Sequence, residues 1–130
     1  MLSRAEALQQ QTKKMIKVYG IPNCNSVKKA ITWLKDNNLE YEFHDFKKQG
    51  IDADQLKSWS AVFGWEQVLN KKGTTWRKLD PAVQASVKDE ASAIETMLTS
   101  SSAIKRPVIV QDHKPILLGF NEDQYAQKLK

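Results

Sequence analysis

The chain has 130 residues, 41% of them hydrophobic and 27% charged, with a formal net charge of +5. That is the balance of a water-soluble globular protein long enough to bury a core without covalent staples, and no apolar run approaches the roughly 20 residues of a membrane span. A single cysteine excludes an internal disulfide and suits a reducing compartment, so a cytoplasmic protein is expected.

Residues 1–14 are polar and lack the apolar core of a secretory signal; they read as an N-terminal tail ahead of one domain over 15–130. Met15-Ile16-Lys17-Val18-Tyr19 alternates as a strand does, and Gly20-Ile21-Pro22-Asn23 breaks it. Val27, Ala30, Ile31 and Leu34 then share one face of a helix that Asn37-Asn38 ends. Tyr41 to Asp45 alternates again, which makes the opening a βαβ unit with parallel strands. A helical subdomain is predicted over about 50–103. Asp52 and Gln55 begin it as a capping pair, Leu56, Trp59, Val62 and Phe63 form its buried stripe, and Gly64 stops it. Trp65 to Leu69 adds a short helical turn, and Lys71 to Thr75 a loop. Asp80-Pro81 opens a helix or helix pair reaching about Thr99, with Val83, Val87, Ile94, Met97 and Leu98 facing inward. Val108-Ile109-Val110 is a β-branched strand, Gln111 to Lys114 a turn, and Pro115 to Leu118 the returning strand of a hairpin. Asn121 caps a last helix through Tyr125 and Leu129. The order β-α-β, helices, β-β-α describes an α/β fold with the helical subdomain between its second and third strands.

Cys24 stands where the first strand gives way to the first helix. At a helix start the first N–H groups lack internal partners and the dipole is positive, so a thiolate is favoured and an incoming anion can be held. Lys28, one turn further in, adds a formal charge. A free thiol has a pKa of about 8.5, and this setting lowers it. The plainer reading is a small buried residue in a helix-start loop; the flanking Asn23, Asn25 and Ser26 and the nearby lysines favour the reactive thiol. Ile104-Lys105-Arg106-Pro107 directly precedes a strand. Proline is tolerated there and is a candidate for a cis bond. Arg106 reads either as an anion fork at the mouth of the sheet or as an ordinary surface arginine.

Other residues carry less. His44 and His113 are far apart and neither has ligand spacing with Cys24, so no metal site is assigned; His113 is expected in an exposed turn. The lysines are spread without a basic block, which argues against nucleic-acid binding. Trp33, Trp59, Trp65 and Trp76 read as core and rim aromatics rather than a base-stacking platform.

Three separated runs occur in order: V-Y-G-I-P-N-C-N-S-V-K-K-A (Val18 to Ala30), G-T-T-W-R-K-L-D (Gly73 to Asp80) and I-K-R-P-V-I-V (Ile104 to Val110). They resemble the arsenate reductase ArsC family, and within it the YffB branch, in the group that also holds the Spx and MgsR regulators. The resemblance runs from about Met15 to the C-terminus. It implies a thioredoxin-like fold, a nucleophile at Cys24, and an arginine and cis-proline at Arg106 and Pro107. In the arsenate reductases, arsenate attacked by the cysteine is resolved by glutathione through a glutaredoxin partner. Two further arginines of those enzymes fall at Asn70 and near Gly119, and one soon after the cysteine is Lys28; Arg77 is a candidate replacement for one lost charge. The second cysteine of an Spx-like switch falls at Val27. The expectation is a glutathione-dependent thiol reductase acting on a small thiol or oxyanion. The amides of Asn25 and Ser26, with Lys28, would hold thiolate and anion. Arg106 would bind a glutathione carboxylate, and the backbone beside Pro107 would align the peptide. Two other functions follow from the same likeness: a non-catalytic, Spx-like regulator docking on RNA polymerase, and a glutaredoxin-linked arsenate reductase.

Overall fold

The computed structural model describes residues 15–129; the tail expected over 1–14 lies outside them. Strand β1 (Ile16–Gly20) leads to helix α1 (Asn25–Asp36) and strand β2 (Glu42–Asp45). Six helices follow among the described residues: α2 (Phe46–Gln49), α3 (Ala53–Phe63), α4 (Trp65–Val68), α5 (Thr74–Lys78), α6 (Pro81–Ser86) and α7 (Glu90–Thr99). A 3-10 turn at Ser101–Ala103 precedes the hairpin of β3 (Val108–Gln111) and β4 (Lys114–Leu118), and α8 (Glu122–Leu129) ends the chain. The sheet order is β2-β1-β3-β4. β1 and β2 run parallel, and the other two pairs are antiparallel. This is the α/β, thioredoxin-like order expected from the sequence.

Strand alternation splits the core into two layers, because successive side chains point to opposite faces. Ile16, Val18, Ile109 and Leu117 pack with Ala30, Trp33 and Leu34 of α1 and with Tyr125 and Leu129 of α8. Tyr19, Val108 and Val110 look the other way, onto Leu56 and Trp59 of α3, Val68 of α4 and Ile94 and Met97 of α7. The register Val18 opposite Ile109, and Ile109 opposite Leu117, carries the first layer across three strands.

The caps match the chemistry read from the sequence. Asp52 accepts from the Gln55 N–H while the Gln55 side chain accepts from the Asp52 N–H, a closed capping box on α3. Asp80 accepts from the Ala82 N–H ahead of a proline-led α6. Gly64 ends α3 at φ +86°, a left-handed backbone that glycine adopts without strain.

Three expected core positions prove exposed: Val62 (55%), Val83 (39%) and Leu98 (42%). On α3 the buried face runs through Leu56, Trp59 and Ser60. At about 100° per residue Val62 lies some 120° away from Leu56. On α7 the inward face is Ala93, Ile94, Thr96 and Met97, which leaves Leu98 on its flank. Helix α6 is too short and peripheral to bury any of its residues. Thr74 and Thr75, expected in a loop, begin α5.

Candidate functional site

Cys24 is the N-cap of α1, with extended backbone (φ −133°, ψ 123°), and its carbonyl accepts the first helical hydrogen bond from the Lys28 N–H at 3.0 Å. Cys24 makes no side-chain capping hydrogen bond; the N2 and N3 amides of this turn are those of Ser26 and Val27. The close approach of this turn depends on Gly20. A Cβ there would lie 2.6 Å from Val27 Cγ2, and Val27 is itself buried.

The sulfur is half-buried. Burial acts to raise its pKa, but the Val27 N–H, the hydrogen bonding and charge of the Arg106 guanidinium, and the Ser26 N–H act the other way and prevail. The thiol therefore titrates below its ordinary value. The amides acting on the sulfur are those of Val27 and Ser26, the first of them not anticipated from the sequence. Lys28 is exposed on the first turn of α1.

Arg106 and Cys24 are thus neighbours. The Arg106–Pro107 bond is cis. Arg106 is half-buried, and its Nη1 donates to the carbonyl of Ser102 at 2.7 Å and more weakly to that of Ile104 at 3.3 Å. Its Nε is buried without a partner. With Nη1 committed to backbone, the guanidinium is held in place beside the sulfur on which its charge acts. The arginine is held from the helical insertion, since Ser102 belongs to the 3-10 turn that follows α7. An isolated bridge pairs Leu69 with Ile104, reinforced by Asn70 N–H to Ala103 O and Lys105 N–H to Val68 O, both at 2.8 Å.

Asn70 and Gly119, the positions onto which the resemblance places two further arginines, are built differently. Asn70 is half-buried and packed against Gly73, whose absent Cβ would meet the Asn70 Nδ2 at 2.7 Å. Gly119 has φ +79°, and a Cβ would press on Lys105 Cε at 3.1 Å. Its N–H donates to Pro107 O at 2.8 Å, and its carbonyl accepts from the Tyr125 hydroxyl at 2.6 Å. A side chain at Gly119 would therefore strain the backbone that supports Pro107. Arg77 is exposed on α5.

The remaining candidates take structural places. His44 Nε2 lies 2.7 Å from Gly50 O and the ring packs on Tyr19 at 4.6 Å. His113 is exposed in the hairpin turn at φ +68°. Trp33 and Trp59 are buried, while Trp65 and Trp76 are half-buried against the insertion's core. Three features of the site had no clear sequence signal: the Val27 amide, the Ser102 carbonyl and the bridge at Leu69.

The comparisons agree with this architecture. A family model described as the ArsC family matches residues 19–128. The solved structure of a YffB protein is 49% identical and superposes with a TM-score of 0.83, over 88% of this chain and 99% of that one. An arsenate reductase (ArsC) related protein from Brucella melitensis is 46% identical with a TM-score of 0.69, over 89% and 95% of the two chains. The global transcriptional regulator Spx of Streptococcus pyogenes is 28% identical over 113 residues, 85% of this chain and 81% of the regulator.

Proposed function

The chain belongs to the ArsC family, and from that premise we propose that it is a thiol oxidoreductase, a glutathione-dependent reductase of disulfides with Cys24 as its nucleophile. The observation that supports this most is the sulfur itself: half-buried at a helix N-terminus, beside Arg106, with its pKa lowered. A thiolate is the attacking form in disulfide exchange.

The reaction balances with one cysteine. The Cys24 thiolate attacks the glutathione sulfur of a mixed disulfide R–S–S–G. The S–S bond of the mixed disulfide breaks, R–S⁻ leaves as a thiolate, and the Cys24–S–S–G disulfide forms. A free glutathione thiolate then attacks the bound glutathione sulfur, giving oxidised glutathione and restoring the Cys24 thiolate. R–S–S–G gains two electrons and two glutathiones lose them, one of which arrived on the substrate. The Ser26 and Val27 amides and Arg106 stabilise the thiolate as attacker and as leaving group. The Arg106 guanidinium takes a carboxylate of the peptide, and the backbone at Pro107 lies beside it.

Arsenate itself is a poorer fit. A multiply charged oxyanion needs several cations or amides to replace its hydration, and Asn70 and Gly119 supply no charge. The likeness to Spx favours a second reading, a regulator that docks on RNA polymerase; with Val27 at the second-cysteine position, such docking would not be switched by an internal disulfide.

The test is mass spectrometry after incubation with oxidised glutathione. A single glutathione adduct is expected on Cys24, removed by reduced glutathione and absent from Cys24→Ser. An unmodified wild-type protein overturns the reductase reading.

A further inference from the structure

A feature beside the site is unused by the chemistry above. Lys71, in the turn between α4 and α5, places its ammonium over two indole rings at once: Nζ is 5.4 Å from the centroid of Trp65 and 5.6 Å from that of Trp76. Both rings are half-buried and anchored on the core of the insertion, whereas Lys71 itself is exposed. A lysine side chain ordinarily loses rotamer entropy when fixed. Here that cost is met by the rings before any ligand arrives, and the ammonium keeps its outward N–H groups. Cation–π contact holds the charge in place without neutralising it.

The location gives the fixed charge a use. The Leu69–Ile104 bridge and the Asn70 to Ala103 hydrogen bond lay this turn alongside the segment from which Arg106 is held. Residues 67–79 carry Lys71, Lys72, Arg77 and Lys78, residues 100–111 carry Lys105 and Arg106, and neither stretch contains an aspartate or glutamate. These two adjoining segments carry six cations, flanked by Glu66, Asp80 and Asp112, so the positive charge outnumbers the negative on the stretch joined to the Arg106 segment.

We propose that Lys71, clamped by Trp65 and Trp76, is a second anion-binding residue of this site and sets its preference for a thiol peptide with two carboxylates, one taken by Arg106 and the other by Lys71. The inference rests on the reading that Cys24 exchanges with glutathione-bearing disulfides, and it names the residue that selects them. Asn70, in the neighbouring position, is too short and uncharged for this task; the pre-ordered lysine next to it performs it from the rim.

The experiment compares an anionic and a neutral disulfide. The rate of Cys24 modification is measured with oxidised glutathione and with bis(2-hydroxyethyl) disulfide in wild type, Lys71→Met and Lys71→Arg. Methionine keeps an unbranched apolar stem against the rings and removes the charge. Lys71→Met is expected to slow oxidised glutathione about tenfold, leave the neutral disulfide unchanged, and be rescued by Lys71→Arg; a tenfold change corresponds to about 1.4 kcal/mol. Equal slowing of both disulfides, or of neither, overturns the proposal and leaves the exchange reading intact. A second arm needs no chemistry. S-methylglutathione, which cannot exchange, is titrated against Cys24→Ser with and without Lys71→Met, read by tryptophan fluorescence. Weakening by about tenfold on loss of the charge supports the proposal even where exchange fails, and binding indifferent to Lys71 overturns it.

Discussion

At the scale of single residues, the lowered pKa of Cys24 is the sum of small, locatable effects. Two amides and one guanidinium outweigh burial. The thiolate absorbance at 240 nm should therefore rise at lower pH than for a free cysteine, whose pKa is about 8.5. Sign follows cause. Arg106→Met removes a positive neighbour and moves that midpoint up; Lys28→Met, at an exposed position, leaves it in place. Gly20→Ala is a sharper probe, because the added methyl meets Val27 Cγ2. It should displace the Val27 amide, raise the thiol midpoint and cost about 1–3 kcal/mol in urea unfolding, the usual penalty for overpacking. An unchanged midpoint in Arg106→Met would mean the guanidinium does not act on the sulfur. The place of Cys24 was legible in the sequence because a lone cysteine after Gly-Ile-Pro-Asn marks a strand-to-helix turn. Which amides serve it was not, since that depends on the N-cap rotation of the residue, and Asn25 and Ser26 read as naturally as Ser26 and Val27.

At the scale of elements, periodicity told which segments are helices and strands, and capping residues told where several begin. It misjudged which face is buried when a small polar residue stood in for an apolar one. Ser60 is buried on α3 although its hydroxyl has no partner, and a hydrophobicity stripe passes over serine to the nearby Val62. The end of β4 shows how one helix disciplines a loop. Tyr125 of α8 is fully buried, which pushes its phenol well above the usual range, and its hydroxyl donates to Gly119 O. Tyr125→Phe keeps the ring contacts with Trp33 and Phe120 but strands that carbonyl. A loss of about 1–2 kcal/mol is expected in chemical denaturation. Exchange activity should fall as well, because Gly119 N–H braces Pro107 O. Stability lost with activity untouched would place the loop outside the site.

At the scale of the whole molecule, a four-stranded sheet divides two cores, and the site lies where the sheet's strand ends meet the helical insertion. The order of elements could be read from the chain because each carries its own pattern. The stitching between them could not: Leu69 and Ile104 are simply apolar residues in sequence, and only the assembled fold pairs them. That bridge has a mechanical consequence. The acceptors that orient Arg106 are carbonyls at the far end of the insertion, so the insertion works as the jig in which the guanidinium is set. Hydrogen exchange should find the amides of Asn70 and Lys105 opening sooner than those of Val18 and Ile109 in the central strands. On warming, Cys24 should lose its enhanced reactivity over the interval in which the first pair opens, while the strand amides stay protected. Chemistry and scaffold would then fail at two different temperatures, and the gap between them would gauge how firmly the jig is bolted to the sheet.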